Sequence, residues 1–157
     1  MTDIAAATAA PDPRPTVLVF EDEALVAMLL EVLLAEAGYR AVWALDGRGA
    51  LPEQESVEGA PRAAIVDLRL ARGLDGRDVL RRLREHHPGM PVLVVTGYDP
   101  LAPEADLRGL GGPTVRLRKP FDCEDFLEHL AAVLSGPAEP AAWRRRATDI
   151  LAAAAAA

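Results

Sequence analysis

The chain has 157 residues, half of them hydrophobic, so it is long enough to form one domain with a well-buried core. Its formal net charge of −7 argues against nucleic acid as the main partner, because phosphate binding requires a basic surface. The single cysteine excludes an intramolecular disulfide and a cysteine-based metal cluster. No stretch has the length of a membrane span or the pattern of a signal peptide, so we expect a cytoplasmic protein.

The pattern of residues 1–38 predicts a lead-in, a strand and a helix. Residues 1–15 are rich in Ala and Pro and predict a flexible lead-in. The apolar run TVLVF at residues 16–20 predicts a buried strand. The next segment predicts a helix with Asp22 as its N-cap and Gly38 at its end. Its spacing predicts a core-facing side made of Leu25, Met28, Leu29, Val32 and Leu33.

Further along, apolar runs continue to alternate with helical patterns. Strands are predicted over residues 40–45, 63–66, 91–95 and 114–118. Helices are predicted over residues 48–57, 75–87, 104–110 and 122–134, the first and third of them weak because of their prolines. This alternation predicts an α/β fold, a doubly wound five-stranded parallel sheet with helices on both faces. Residues 16–135 form this domain, and residues 136–157 predict a linker followed by a C-terminal helix.

Polar residues follow four of the predicted strands at their carboxyl ends: Glu21 with Asp22, Asp67, Thr96 and Lys119. These ends meet at one edge of the sheet if the strand order is 2-1-3-4-5. Clustered carboxylates require a cation, and ligation by oxygen alone favours Mg²⁺. Beside such an ion Asp67 can attack a phosphoryl group, while Lys119 and Thr96 bind the phosphoryl oxygens.

The motifs FEDE, IVDLRL, VVTGY and RKPF, in this order, resemble the receiver domain of two-component response regulators. The resemblance implies a flavodoxin-like receiver fold with Asp67 as the phosphoacceptor. The phosphoryl group would come from a phosphohistidine on a partner histidine kinase or histidine phosphotransfer protein. The chain would then be a phosphoprotein of a phosphorelay. It would not be an enzyme in the usual sense, since it catalyses only its own phosphoryl transfer and hydrolysis.

The resemblance also implies a ligand set for Mg²⁺. Asp22 would bind the ion directly, Glu21 mainly through water, and the backbone carbonyl of Arg69 would join Asp67 in the metal shell. Thr96 and Lys119 would hold the phosphoryl group. The bond between Lys119 and Pro120 would be cis.

Two positions depart from the common receiver pattern. Glu21 stands where Asp is commoner, and Arg116 stands where many receivers carry the aromatic switch residue. Tyr98, two residues after Thr96, is the nearest aromatic that can take over the switch role. Its Thr-Gly-Tyr motif is similar to that of a group of single-domain receivers from alphaproteobacteria.

Three functions compete on the sequence. The leading hypothesis is a stand-alone receiver that acts as a phosphorylation-controlled protein-binding switch or phosphoryl shuttle, with an unidentified target and with homodimerisation left open. The second is a pseudo-receiver, an interaction module that works without phosphorylation. The third is a phosphatase of the haloacid dehalogenase type, which is disfavoured because Arg69 occupies the position of its acidic residue.

Overall fold

A computed structural model describes residues 12–43, 61–71 and 74–135 of the chain. Its sheet has five strands: β1 (Thr16–Phe20), β2 (Arg40–Trp43), β3 (Ala63–Val66), β4 (Val92–Thr96) and β5 (Thr114–Arg118). Its α-helices are α1 (Ala24–Glu36), α2 (Gly76–His86) and α3 (Cys123–Ser135). All strand pairs are parallel and the order is β2-β1-β3-β4-β5, which confirms the predicted sheet.

The central strands β1, β3 and β4 are mostly apolar, as expected where both faces of a sheet are covered. On one face, Leu18 and Phe20 of β1 belong to a core cluster that includes the apolar side of α2. On the other face, Val17 and Val19 of the same strand pack in a cluster with α1 and α3. Every residue of β1, β3 and β4 is buried, as expected for the central strands of a doubly wound sheet.

Only the C-terminal end of α1 agrees with the prediction from the sequence. Gly38 adopts φ +89°, and the N–H of Tyr39 donates to the carbonyl of Leu34 at 2.8 Å, which closes the helix in a Schellman motif. The prediction of Asp22 as N-cap is wrong. Glu23 occupies that position without a side-chain cap, and the Asp22 carboxylate instead accepts a hydrogen bond from the loop after β3.

The side of α1 that faces the core also differs from the prediction. Leu30, Leu33 and Leu34 are buried, and of the five predicted core residues only Leu33 is among them. The other four, here called the α1 stripe, are 37–78% exposed: Leu25, Met28, Leu29 and Val32. Because α1 is apolar around most of its circumference, periodicity did not determine which side contacts the sheet.

The connection between β4 and β5 holds no α-helix. The short helix predicted over residues 104–110 is replaced by a 3-10 turn at Pro103–Ala105. Gly109, Gly111 and Gly112 all adopt positive φ, a conformation that interrupts a right-handed helix. The segment is nevertheless anchored, because Ala105, Leu107 and Leu110 are buried in the cluster beneath α2.

Several predictions fall outside the described residues: the helix over 48–57, the end of the strand over 40–45, most of the lead-in over 1–15, and the tail over 136–157. Within the described part of the chain, the other helices agree with the sequence, and Asp75 caps α2 by accepting the N–H of Arg77 at 2.9 Å. The described helices include none with the length and apolarity that a membrane span requires.

Arg84 connects α2 to the amino-terminal ends of β4 and β5. Its guanidinium donates to the carbonyls of Met90 and Pro113, the latter at 2.8 Å, and to the buried Thr114 hydroxyl at 3.0 Å. No ion pair found in the described ranges includes Arg84, and burial lowers the pKa of its guanidinium to about 10. Neutral oxygen acceptors therefore bind the Arg84 guanidinium, and this side chain is a structural link between α2 and the two strands.

We expect Arg84→Met to lower the free energy of unfolding by roughly 2 kcal/mol, because the link between α2 and two strands loses charged hydrogen bonds. Arg81→Met is the matched control, since Arg81 pairs with Asp78 on an exposed surface. The control should change stability by no more than about 0.5 kcal/mol. Urea unfolding followed by circular dichroism measures both, and equal effects would show that the Arg84 link is not specific.

Candidate functional site

The polar residues that follow the strands do meet at one edge of the sheet. Glu21, Asp67 and Lys119 come directly after β1, β3 and β5, and Thr96 is the last residue of β4. Backbone hydrogen bonds continue past the strand ends: the N–H of Asp67 donates to Phe20 at 2.9 Å, and that of Lys119 donates to Thr96 at 2.8 Å. The position of each site residue is therefore set by the register of the sheet.

Lys119 is the centre of the cluster. Its Nζ lies 2.8 Å from Glu21 Oε2, 2.9 Å from Asp67 Oδ2 and 3.7 Å from Glu23 Oε2. The side chains of Glu21 and Asp67 are almost completely buried, whereas that of Glu23 is 63% exposed. One ammonium is thus shared by two buried carboxylates, with a third at the surface.

The electrostatics of the cluster show an excess of negative charge. Burial raises the pKa of Glu21, and the Asp67 carboxylate acts in the same direction, although the hydrogen bond from Lys119 opposes them. Burial alone would lower the pKa of Lys119, but its hydrogen bonds to Glu21 and Asp67 outweigh that effect and raise it. The raised pKa of Glu21 thus comes mainly from burial and that of Lys119 from its two carboxylate partners, and a further cation would favour the charged form of Glu21.

The site contains a set of oxygens that fits such a cation. One carboxylate oxygen each from Glu21, Asp22 and Asp67 lie within 4.8 Å of one another. Carboxylate oxygens are the ligands of hard divalent ions, and two of the three residues are buried. The donor chemistry therefore fits Mg²⁺, the ion predicted from the sequence.

The loop after β3 is held against the cluster by two hydrogen bonds. The N–H of Arg69 donates to Asp67 Oδ1 at 2.9 Å, and the N–H of Ala71 donates to Asp22 Oδ2 at 2.6 Å. Arg69 also pairs with Asp75 in an isolated antiparallel bridge. The predicted metal role of the Arg69 carbonyl stays a prediction, while the structure gives its backbone N–H a role in orienting Asp67.

The two switch candidates lie apart from the carboxylate cluster. Tyr98 is half-buried against the core cluster beneath α2, and its N–H donates to Thr96 Oγ1 at 3.1 Å. Arg116 is half-buried on β5, where burial lowers the pKa of its guanidinium and the Asp106 carboxylate opposes that shift. Tyr98 is thus linked to the site through Thr96. The switch role stays a prediction for both residues.

Gly76 is a site residue that sequence reasoning missed. Its N–H donates to the carbonyl of Leu68 at 3.0 Å, so the first residue of α2 touches the backbone next to Asp67. A Cβ at this position would overlap the Asp67 carbonyl oxygen. The pair Asp75-Gly76 was the available signal, but it indicates only a helix start, and the close approach is a property of the tertiary structure.

The chain matches the family model for the response regulator receiver domain over residues 17–131. It is 35% identical over 119 residues to the response regulator MprA of Mycolicibacterium vanbaalenii, covering 75% of this chain and 49% of that protein. It is 34% identical over 119 residues to the transcriptional regulatory protein QseB of Escherichia coli O157:H7, covering 75% and 52%. The chain therefore spans about half the length of the curated relatives it matches.

Solved structures agree with this similarity. The fold superposes on a response regulator receiver protein from Sinorhizobium medicae with a TM-score of 0.65 and 26% identity, covering 81% of this chain and 98% of that one. It also superposes on the chemotaxis protein CheY4 of Vibrio cholerae with a TM-score of 0.62 and 26% identity, covering 77% and 99%.

We expect Gly76→Ala to destabilise the protein by about 1–3 kcal/mol, because the added methyl group forces the backbone after Asp67 to move. Gly89→Ala is the control, since a Cβ there meets no atom within 4 Å, and its effect should stay within about 0.5 kcal/mol. Thermal unfolding at several denaturant concentrations compares the two. Equal stability of both variants would contradict the close approach.

Proposed function

Because the chain belongs to the response regulator receiver domain family, we propose that it accepts a phosphoryl group on Asp67 and acts as a phosphorylation-controlled protein-binding switch or phosphoryl shuttle. The donor would be a phosphohistidine on a partner histidine kinase or histidine phosphotransfer protein. The protein would work in the cytoplasm, where these donors present their histidines. Any further activity of a longer protein lies outside this proposal, which concerns residues 16–135.

The observation that carries the proposal is the shared ammonium of Lys119. It holds Asp67 Oδ2 at 2.9 Å, and one carboxylate oxygen each of Glu21, Asp22 and Asp67 lie within 4.8 Å of one another. A buried aspartate next to a fixed cation and a candidate metal site is arranged for nucleophilic attack on an anionic phosphorus centre.

Glu21, Asp22 and Asp67 would hold Mg²⁺, and the Arg69 carbonyl would complete the ligand set taken from the chain. The ion supplies positive charge that offsets the repulsion between the Asp67 carboxylate and the incoming phosphoryl oxygens. Since these side chains are already close together, binding needs little rearrangement of the sheet edge.

Two other residues would serve the phosphoryl group directly. Lys119 exchanges its bond to Asp67 Oδ2 for one to a phosphoryl oxygen, and the Thr96 hydroxyl donates to another. An Asp67 oxygen forms a bond to phosphorus as the bond between phosphorus and the donor imidazole nitrogen breaks, and that nitrogen keeps the electron pair. Water later attacks the same phosphorus, which releases phosphate and restores the carboxylate.

The chain thus catalyses only its own phosphorylation and dephosphorylation, and it turns over no separate substrate. Nucleic acid is not among the proposed ligands, because the net charge of −7 disfavours it. QseB is named a transcriptional regulatory protein, so the absence of nucleic-acid binding stays a prediction for this chain.

The test is incubation with Mg²⁺ and acetyl phosphate followed by intact-mass measurement. We expect the unaltered chain and the Asp78→Asn control, changed at an exposed α2 carboxylate, to gain the mass of one phosphoryl group. Asp67→Asn should gain none, because an amide lacks the nucleophilic oxygen. If the unaltered chain gains no mass, the proposal fails and a phosphorylation-independent interaction module becomes the better reading.

The α1 stripe supports the choice of a protein as phosphodonor. It begins at Leu25, two residues after Glu23 of the cluster, and continues through Met28, Leu29 and Val32 along one side of α1. Four large apolar side chains exposed in a row next to a reactive site mark an interaction surface. A phosphohistidine on a helical protein can reach Asp67 while that protein packs on the stripe.

We expect the double change Leu25→Gln with Met28→Gln to slow phosphotransfer from a protein donor at least about tenfold, because the two most exposed apolar side chains of the stripe are lost. The donor is the purified histidine kinase that phosphorylates the unaltered chain fastest in a panel. Phosphorylation by acetyl phosphate should stay unchanged, since Gln preserves the helix and the site is untouched.

Leu101→Gln is the matched control, because Leu101 is 81% exposed and follows β4, away from α1. It should leave both reactions unchanged. If the double variant transfers from the kinase as fast as the unaltered chain, the donor docks elsewhere.

A further inference from the structure

We propose that Glu23 is a positioning residue that sets the negative charge at the mouth of the site. Its carboxylate opposes the approach of anionic phosphodonors and strengthens the hold on Mg²⁺. The inference rests on the proposed function and adds to it, because none of the roles assigned so far belongs to the Glu23 side chain.

The geometry separates Glu23 from its neighbours. Its Oε2 lies 3.7 Å from Lys119 Nζ, beyond hydrogen-bond distance but close enough for a direct charge interaction. The side chain is 63% exposed, in contrast to the buried carboxylates of Glu21 and Asp67. Glu23 is also absent from the group of carboxylates that lie within metal-binding distance of one another.

The backbone and the side chain of Glu23 have different tasks. The backbone N–H donates to Glu21 Oε1 at 3.0 Å, and the residue precedes α1 at its N-cap position. Because these contacts use only the main chain, replacing the carboxylate by an amide leaves the fold and Glu21 in place. Any change in the phosphorylation rate or Mg²⁺ affinity of such a variant therefore reports the loss of the Glu23 charge.

The sign of the effect follows from the charges that face Glu23. Lys119 is already bonded to two carboxylates, so a third, at 3.7 Å, adds negative potential without completing a needed pair. That potential repels a doubly charged donor such as acetyl phosphate and attracts a divalent cation. At an exposed position each effect should amount to about two- to fivefold.

The experiment measures the rate of phosphorylation at subsaturating acetyl phosphate for Glu23→Gln, Glu23→Asp and Glu36→Gln. Glu23→Gln should react about two- to fivefold faster than the unaltered chain, with the gain shrinking as salt is added. Glu23→Asp keeps the charge and should react at the native rate. Glu36→Gln makes the same charge change at the far end of α1 and should also react at the native rate.

Two further measurements make the result specific. With phosphoramidate, which carries less negative charge, the gain of Glu23→Gln should be smaller than with acetyl phosphate. Calorimetric titration should show Mg²⁺ binding to Glu23→Gln weakened by about twofold, the opposite direction to the donor effect. A merely structural role of Glu23 would change the phosphorylation rate and the Mg²⁺ affinity in the same direction.

The outcomes distinguish this inference from the proposed function. If the unaltered chain takes no phosphoryl group, the proposed function fails, and the Mg²⁺ titration alone decides the charge effect of Glu23. Equal Mg²⁺ affinity of the two proteins, or no binding to either, overturns the inference. If Glu23→Gln and the unaltered chain are phosphorylated at equal rates, the inference is overturned while the proposed function stands. An equal rate increase in Glu36→Gln also overturns the inference, because it would assign the effect to net charge.

Discussion

The bonding of Lys119 to two buried carboxylates is the interaction on which the functional edge of this protein depends. Glu21 and Asp67 are buried at the ends of adjacent parallel strands, where like charges repel strongly in the absence of a cation. The ammonium, 2.8 and 2.9 Å from their oxygens, makes that burial tolerable. The same bond keeps Asp67 oriented and leaves the cluster short of positive charge, which is the condition for binding a metal ion.

The rest of the fold supplies the positions that this interaction requires. Parallel pairing of β1, β3, β4 and β5 brings four chain segments to one edge, although Glu21 and Lys119 are 98 positions apart in the sequence. At the opposite edge Arg84 links α2 to two strands through neutral acceptors. Between these edges Gly76 lets α2 begin against the backbone of Asp67. The reactive group is therefore positioned partly by segments that lie far from it in the sequence.

The surface around the site divides into regions with different tasks. The α1 stripe exposes four apolar side chains, the contact surface proposed for a protein donor, while Glu23 places a carboxylate at the edge of the cluster. Tyr98 connects Thr96 to the core cluster beneath α2 through a backbone hydrogen bond and a half-buried ring. Under the proposed function, recognition of a donor and entry of its phosphoryl group would use separate groups of residues around one aspartate.

The sequence by itself determined the five strands and the residues at the functional edge of the sheet, while the strand order followed from the resemblance to receiver domains. The apolar run that ends in Asp67 and the short strand that precedes Lys119 are local signals, and parallel pairing converts such signals into one site. Only the tertiary structure decided which side of α1 is buried, because that helix is apolar on most sides and the choice lies with the sheet beneath it. The tertiary structure alone also shows why Gly76 is needed and gives Asp22 its partner in Ala71, since both contacts join segments that no local pattern connects.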